Sequence, residues 1–368
     1  MFVSAFLSFG LIGEKAGAQT KSSVKPMPSP KKTAAKNTPK PTAKIAAAQA
    51  TPKNTAKALP KPAPKTVQTK AKDTPQIIVS VTSARIRKEA DTNAETLELA
   101  KLGTIYPIIE QNEKWSNVRF SKDGKEQNGW ISRTVSLPFS NARRAEIYQT
   151  VADKYIKQST LDFASAAQVS SFLNSATKEI KTEKTIAELS LKRLLALQNA
   201  LRKIAIDKQT QSPYKEFLKT NEKDIAYSEP SAQWLVRSDN FWNLHAKYKG
   251  LPIGEEIAWS ASQNPIPGEC EGYVNCYLYL IRSTDGEYLN FYPNGKYSRQ
   301  SLKNITNLLE PIASDAKEKT IYSSASDTSD RADFNRYLTE LRAIISKLPY
   351  LEKSKTLAQI RQIAEAHR

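Results

Sequence analysis

The sequence predicts a multidomain α+β protein: a small all-β barrel or sandwich, a helical bundle and a mixed α+β C-terminal region, preceded by a disordered Lys/Pro-rich linker. Three observations carry this. Residues 19–75 are rich in lysine, proline and alanine and hold no aromatic side chain. Between Gln76 and Phe139, short runs of β-forming residues are separated by Asn, Asp and Gly clusters. Beyond Ser140, apolar residues recur at steps of three and four, the helical period. The boundaries are a signal peptide at 1–18, a linker at 19–75, the β region at 76–139, a helical region at 141–228 and an α+β region at 229–368.

The chain opens MFVSAFLSFGLIGEKAGAQT, with an apolar run from Phe2 to Ile12 and small residues Ala16-Gly17-Ala18 before Gln19. This is the pattern of an export signal with its cleavage site. The run is too short for a bilayer, which needs about 20 apolar residues. No basic residue precedes it, so either the signal is a weak one or the start lies upstream of Met1. The expected address is secreted or periplasmic, with no transmembrane helix.

From Gln19 to Pro75 there are thirteen lysines, no arginine and one acid, Asp73, so this segment carries +12 of the chain's +18. Ten of the twenty prolines lie between Pro26 and Pro75. Such a composition cannot bury enough apolar area to offset its ordering entropy. Proline and lysine repulsion extend it. It is either a tether making nonspecific contact with an anionic polymer or a plain spacer. A basic pI of this origin describes a tail, so specific nucleic-acid recognition is not expected.

The β runs are IIVSVTSARIR, GTIYPIIEQ, WSNVRF and GWISRTVSL, and Pro107 puts its strand at an edge or bulge. Ala84-Arg85-Ile86-Arg87 forms a strand with an arginine turn, Leu102-Gly103-Thr104 opens a hairpin, Trp115-Ser116-Asn117-Val118 is a W-x-x-V strand, and Asp123-Gly124 precedes Gly129-Trp130-Ile131. In this order the features resemble a bacterial SH3-like (SH3b) domain over about Gln76 to Phe139. The resemblance implies a small barrel with Trp130, Val118 and Ile86 in its core. It also implies a groove where Trp115 and Tyr106 meet a cell-wall peptide. Glu89-Ala90 stand where the family commonly has Gly-Pro, and KEQN lengthens the last turn.

Helical stripes follow. Ala145, Tyr148, Ala152 and Tyr155 share one face; Ile186, Leu189, Leu194, Leu197, Leu201 and Ile204 form a broader one. FASAAQVSSFLNSATKEI continues the pattern, SPYKEFLKTNEKDIAY is a fourth helix candidate, and together these suit a bundle. In the last block, SAQWLVRSDNFWNLHAKYKG reads as a short helix or loop leading to a helix that ends at Gly250. GEEIAWSASQN is another helix. YVNCYLYLIRSTDGEYLNFYPNGKY reads as a β-hairpin, with Val274, Cys276, Leu278 and Leu280 on one side and Tyr273, Tyr277, Tyr279 and Ile281 on the other. Its turn is Ser283-Thr284-Asp285-Gly286. SRQSLKNITNLLEPIA is a helix stopped near Pro311, TIYSSASDTSD is a loop, and two helices finish the chain.

Cys270 and Cys276 are the only cysteines. In an exported chain so close a pair is expected to be a disulfide. Three catalytic or metal constellations compete with that simple picture. Cys270 with His245 could form a thiol nucleophile and base. His245, Glu255, Glu256 and Glu269 could hold a metal. Glu255-Glu256 with Glu269 and Glu271, beside Trp242 and Trp259, could cleave a glycoside. A lone well-placed imidazole is poor zinc chemistry, and the cysteines suit each other better than they suit catalysis. His367 sits in a terminal tail. No catalytic residue, metal or cofactor is therefore expected. The expectation is a non-enzymatic envelope protein that binds cell-wall peptide or an envelope protein; the alternative is a wall hydrolase with its active site in residues 230–311.

Overall fold

The computed structural model describes residues 74–158, 160–323 and 328–367; the signal peptide and almost all of the linker expected at 1–75 lie outside them. The fold is mixed α+β. Seven antiparallel strands come first: β1 (Gln76–Val79), β2 (Ala84–Arg87), β3 (Thr96–Ala100), β4 (Ile105–Gln111), β5 (Trp115–Lys122), β6 (Lys125–Ser132) and β7 (Ser136–Phe139). Their order is β3-β2-β6-β5-β4-β1-β7, so β3 and β7 are edges and the sheet does not close on itself.

Local chemistry explains the sheet's turns. Asp123 and Gly124 both have positive φ (53° and 74°), as a two-residue hairpin turn requires. They join β5 to β6 over a ladder running from Lys122↔Lys125 to Trp115↔Ser132. Gly103 also has positive φ, and a Cβ there would collide with the Phe172 ring. At Gly129 an added Cβ would lie 2.6 Å from Ile86 and 2.9 Å from the Arg87 carbonyl. Only glycine lets β2 cross β6 this closely. One face of the sheet buries Ile77, Val79, Ile86, Val118, Phe120 and Ile131. Ile78, Leu102 and Phe139 pack instead against helices, so β1 is covered on both faces.

Those helices are α1 (Arg144–Ile156) and α2 (Phe163–Glu179), followed by α3 (Glu183–Leu201). Tyr148, Val151, Val169 and Leu173 complete the cluster on the sheet. The expected α3 stripe is split. Leu189 and Ala196 face this cluster, whereas Ala187, Leu191, Leu194, Leu197 and Leu201 face the C-terminal half. A helix buried on both faces shows no single narrow stripe.

Three expectations for the second half are corrected. The fourth helix is short, α4 (Tyr214–Thr220), and the residues after it form a hairpin, β8 (Ile225–Ser228) with β9 (Gln233–Val236). Ile225 and Val236 are buried opposite each other, and the Tyr227 and Trp234 rings pair across the strands at 5.3 Å. Beyond α5 (Ser238–Tyr248) and α6 (Gly254–Ser262), the segment read as a hairpin is two helices, α7 (Val274–Ser283) and α8 (Asp285–Phe291). Val274, Leu278 and Ile281, at helical spacing, are 0%, 0% and 1% exposed, and the intended turn is the break between the helices. Gly286 lets α8 approach the Ile281 carbonyl, which an added Cβ would meet at 2.8 Å. Finally, α9 (Ser298–Asp315) runs through Pro311. Leu309, Ile312 and Ala313 are buried around it, and this packing offsets the lost backbone bond. Helices α10 (Thr328–Ser346) and α11 (Lys353–Ala366) end the fold as expected. The described residues form one compact unit. Among the described residues no helix is long and apolar enough to cross a membrane.

Candidate functional site

A groove of about 730 Å³ runs along one end of the sheet. It lies between the start of β5 (Trp115, Ser116), the end of β6 (Ser132) and the strands β1 and β7, including Gln76, Leu137 and Pro138. Its rim is held by side chains that bond to nearby backbone. The Asn112 side chain accepts from the backbone N–H groups of Lys114 (2.9 Å) and Trp115 (2.8 Å), an Asx turn. Arg133 donates through Nη1 to the Asn112 and Glu113 carbonyls, both at 3.1 Å. The loop that presents the half-buried Trp115 is therefore fixed.

Ser116 lines the same groove. It is fully buried, and its Oγ has no hydrogen-bond partner. Leaving a buried hydroxyl unpaired costs about 1–3 kcal/mol. Parity puts it inside: Ser116 lies opposite Ile131, whereas Trp115 and Asn117 lie opposite Ser132 and Trp130 on the outer face.

The expected pairing of Trp115 with Tyr106 does not occur. Tyr106 lies opposite Ile77 near the start of β4, while Ser116 lies opposite Gln111 at its end. Five residues of strand, about 16 Å, separate Tyr106 from Gln111. Tyr106 packs against the inner apolar cluster and is not among the groove's lining residues. Burial foremost, then the charge of Glu98, pushes its hydroxyl above the ordinary phenol range, against a hydrogen bond with Thr104.

Of the expected core residues, Val118 and Ile86 are 0% exposed. Trp130 is half-buried and faces outward. The inward positions of β6 belong to Gly129, demanded by the crossing of β2, and to Ile131, so alternation sends Trp130 out. Both indoles of the β5–β6 hairpin thus share its outer face.

The constellations of the second half separate into structural partnerships. Cys270 and Cys276 are disulfide-bonded with Cα atoms 5.3 Å apart, so the Cys270 sulfur is not a free thiol. The bond closes the loop at the start of α7, where the Ser323 backbone donates to the Gly272 carbonyl and accepts from the Val274 N–H. His245 is buried in α5, its Nε2 3.0 Å from the Tyr292 hydroxyl and its ring against Trp242 and Phe291. Burial, then Lys249, holds it below the ordinary imidazole range, against the opposing charge of Glu287. Glu255 accepts from the Tyr288 hydroxyl (2.6 Å) and the Lys296 backbone. Glu256 accepts from the Tyr297 hydroxyl and Lys296 Nζ. These carboxylates tie α6 to the start of α9. Trp259 is stacked on Tyr297 at 4.4 Å and 9°. No group of three or more His, Cys, Asp or Glu among the described residues could hold a metal ion.

A second concavity of about 630 Å³ opens among α5, α7, α8 and α10, lined by Trp242, Tyr279, Arg282, Glu287, Tyr337 and Glu340 among others. Sequence reasoning reached only Trp242. Tyr279 and Arg282 are three apart on α7, as Tyr337 and Glu340 are on α10. That spacing carries a signal only when 274–283 is taken as helix. No family model, curated protein or solved structure matches the chain.

Proposed function

We propose that this chain is an exported, non-enzymatic envelope protein whose β region is SH3-like and binds an extended peptide, from the cell wall or an envelope protein, in the Trp115 groove. The observation that carries the reading is a groove of about 730 Å³ walled by the half-buried Trp115, whose loop is fixed by Asn112 and Arg133, and bordered by edge strand β7. The indole supplies a rigid apolar wall beside a polar rim. Edge strand β7 borders the groove and offers unpaired backbone groups for strand addition. The disulfide is at home in an oxidising compartment. The +12 leader adds nonspecific attraction to anionic polymers that weakens with salt.

The test is calorimetric titration of the full chain with purified wall stem peptides and with proline-containing extended peptides. Saturable binding that weakens about thirtyfold in Trp115→Ala, the effect of losing a central aromatic anchor, supports the reading. Binding that survives Trp115→Ala intact, or no binding at low salt, defeats it.

A further inference from the structure

We propose that the cavity among α5, α7, α8 and α10 is a binding site for a neutral saccharide. It is independent of the Trp115 groove and of any peptide that groove takes.

The polar part of the lining is organised in advance. Arg282 donates from Nε to Glu340 (2.7 Å) and from Nη1 to Glu287. Its side chain is 20% exposed, and its two partners come from different helices. A guanidinium carries five N–H donors, so these two bonds leave donors over. Each carboxylate has used one oxygen and keeps the other. The cavity therefore offers fixed donors and fixed acceptors side by side. A pair of neighbouring hydroxyls, each both donor and acceptor, complements that arrangement.

Charge narrows the ligand class. Arg237, Arg282 and Arg336 are matched in the lining by Asp239, Glu287 and Glu340. The site has no formal excess of either sign, so neither a phosphate nor a cation is favoured over a neutral molecule. The aromatic part supplies what a sugar ring's C–H faces need. Tyr279 is 45% exposed, with its ring 6.0 Å from that of Tyr337, and Trp242 of α5 also lines the cavity. Arg336 lies 4.6 Å from the Tyr337 ring centre, so Tyr279 is the ring left most open. The volume of about 630 Å³ lies within the range of small-ligand sites.

The experiment titrates the full chain with three neutral probes, chitotetraose, maltotetraose and cellotetraose, followed by calorimetry and by saturation-transfer NMR. At least one should bind saturably. Tyr279→Ala should weaken it about tenfold, the loss of one stacking face, with Glu340→Gln also weakening it. Trp115→Ala and excess inorganic phosphate should change nothing. Both cavity positions are partly exposed, and circular dichroism melts check that the variants are folded. No binding of any probe, displacement by phosphate, or affinity unchanged in both cavity variants would overturn the proposal.

Discussion

The sheet and the C-terminal helices are specified in different ways, and their two concavities inherit the difference. In the sheet, turns are written locally. Asp123-Gly124 supplies two positive-φ residues, Gly129 a crossing point, and Asn112 an Asx turn that anchors Trp115. The groove rim is held by the Asn112 and Arg133 side chains bonding to nearby backbone groups. In the helical half, the cavity is assembled from side chains of four helices and held by Arg282 between two glutamates. The first site is thus held by short-range side chain–backbone bonds, the second by a charged network between distant helices.

The largest expected effect tests the helical half. Leu278→Ala should cost about 4 kcal/mol in urea unfolding, because its fully buried side chain leaves a cavity. Leu280→Ala, at a half-buried position, should cost much less. Equal costs would restore the alternating hairpin and break the contrast with the sheet.

Next is Asp285, buried at the start of α8 among neutral partners, including Asn304 at 3.2 Å. Burial raises its carboxyl to about 6, against those hydrogen bonds. The folded state then holds the proton more tightly than the unfolded chain. The associated stability is present at low pH and is lost as pH rises from about 4 through about 6, by at most about 3 kcal/mol. Asp285→Asn should flatten that part of the stability–pH profile. An unchanged slope would show that the group is not buried as described.

In the sheet, Gly129→Ala should cost about 2 kcal/mol, since backbone on β2 must give way. A neutral result in thermal melts would mean that β2 crosses farther off. Smallest is the double change Cys270→Ser and Cys276→Ser. The bond spans only six positions, so its loss should cost no more than about 2 kcal/mol by chemical unfolding. A larger loss would make the helical half dependent on its covalent staple.

Legibility followed the same divide. The β runs and their order could be read from spacing and turn residues, whereas burial of Val118 and Ile86 was implied by the SH3-like resemblance. Trp130 was misplaced because its parity is set by Gly129's contact with β2, a long-range fact. Tyr106 and Trp115 were grouped as aromatics near one mouth, though β4 carries them apart. In 274–291, Val274 and Leu278 fit periods of two and four alike. What decided for helix was a partner surface including Leu309, Phe334 and Leu341. With that segment read as strand, Tyr279 and Arg282 could not be seen as neighbours. The Ser116 hydroxyl carried no sequence signal, since an unpaired polar atom is defined by what surrounds it.

The sequence by itself determined the cysteine pair as mutual partners, the glycine and Asx turns of the β region, and the separate composition of the leader. Each depends on a few adjacent residues whose backbone or covalent options are few. Only tertiary structure decided the helical state of 274–291, the passage of α9 through Pro311, the outward turn of Trp130 and the meeting of Arg282 with Glu287 and Glu340. In those cases local preferences are nearly balanced, and burial against residues distant in the chain supplies the deciding free energy.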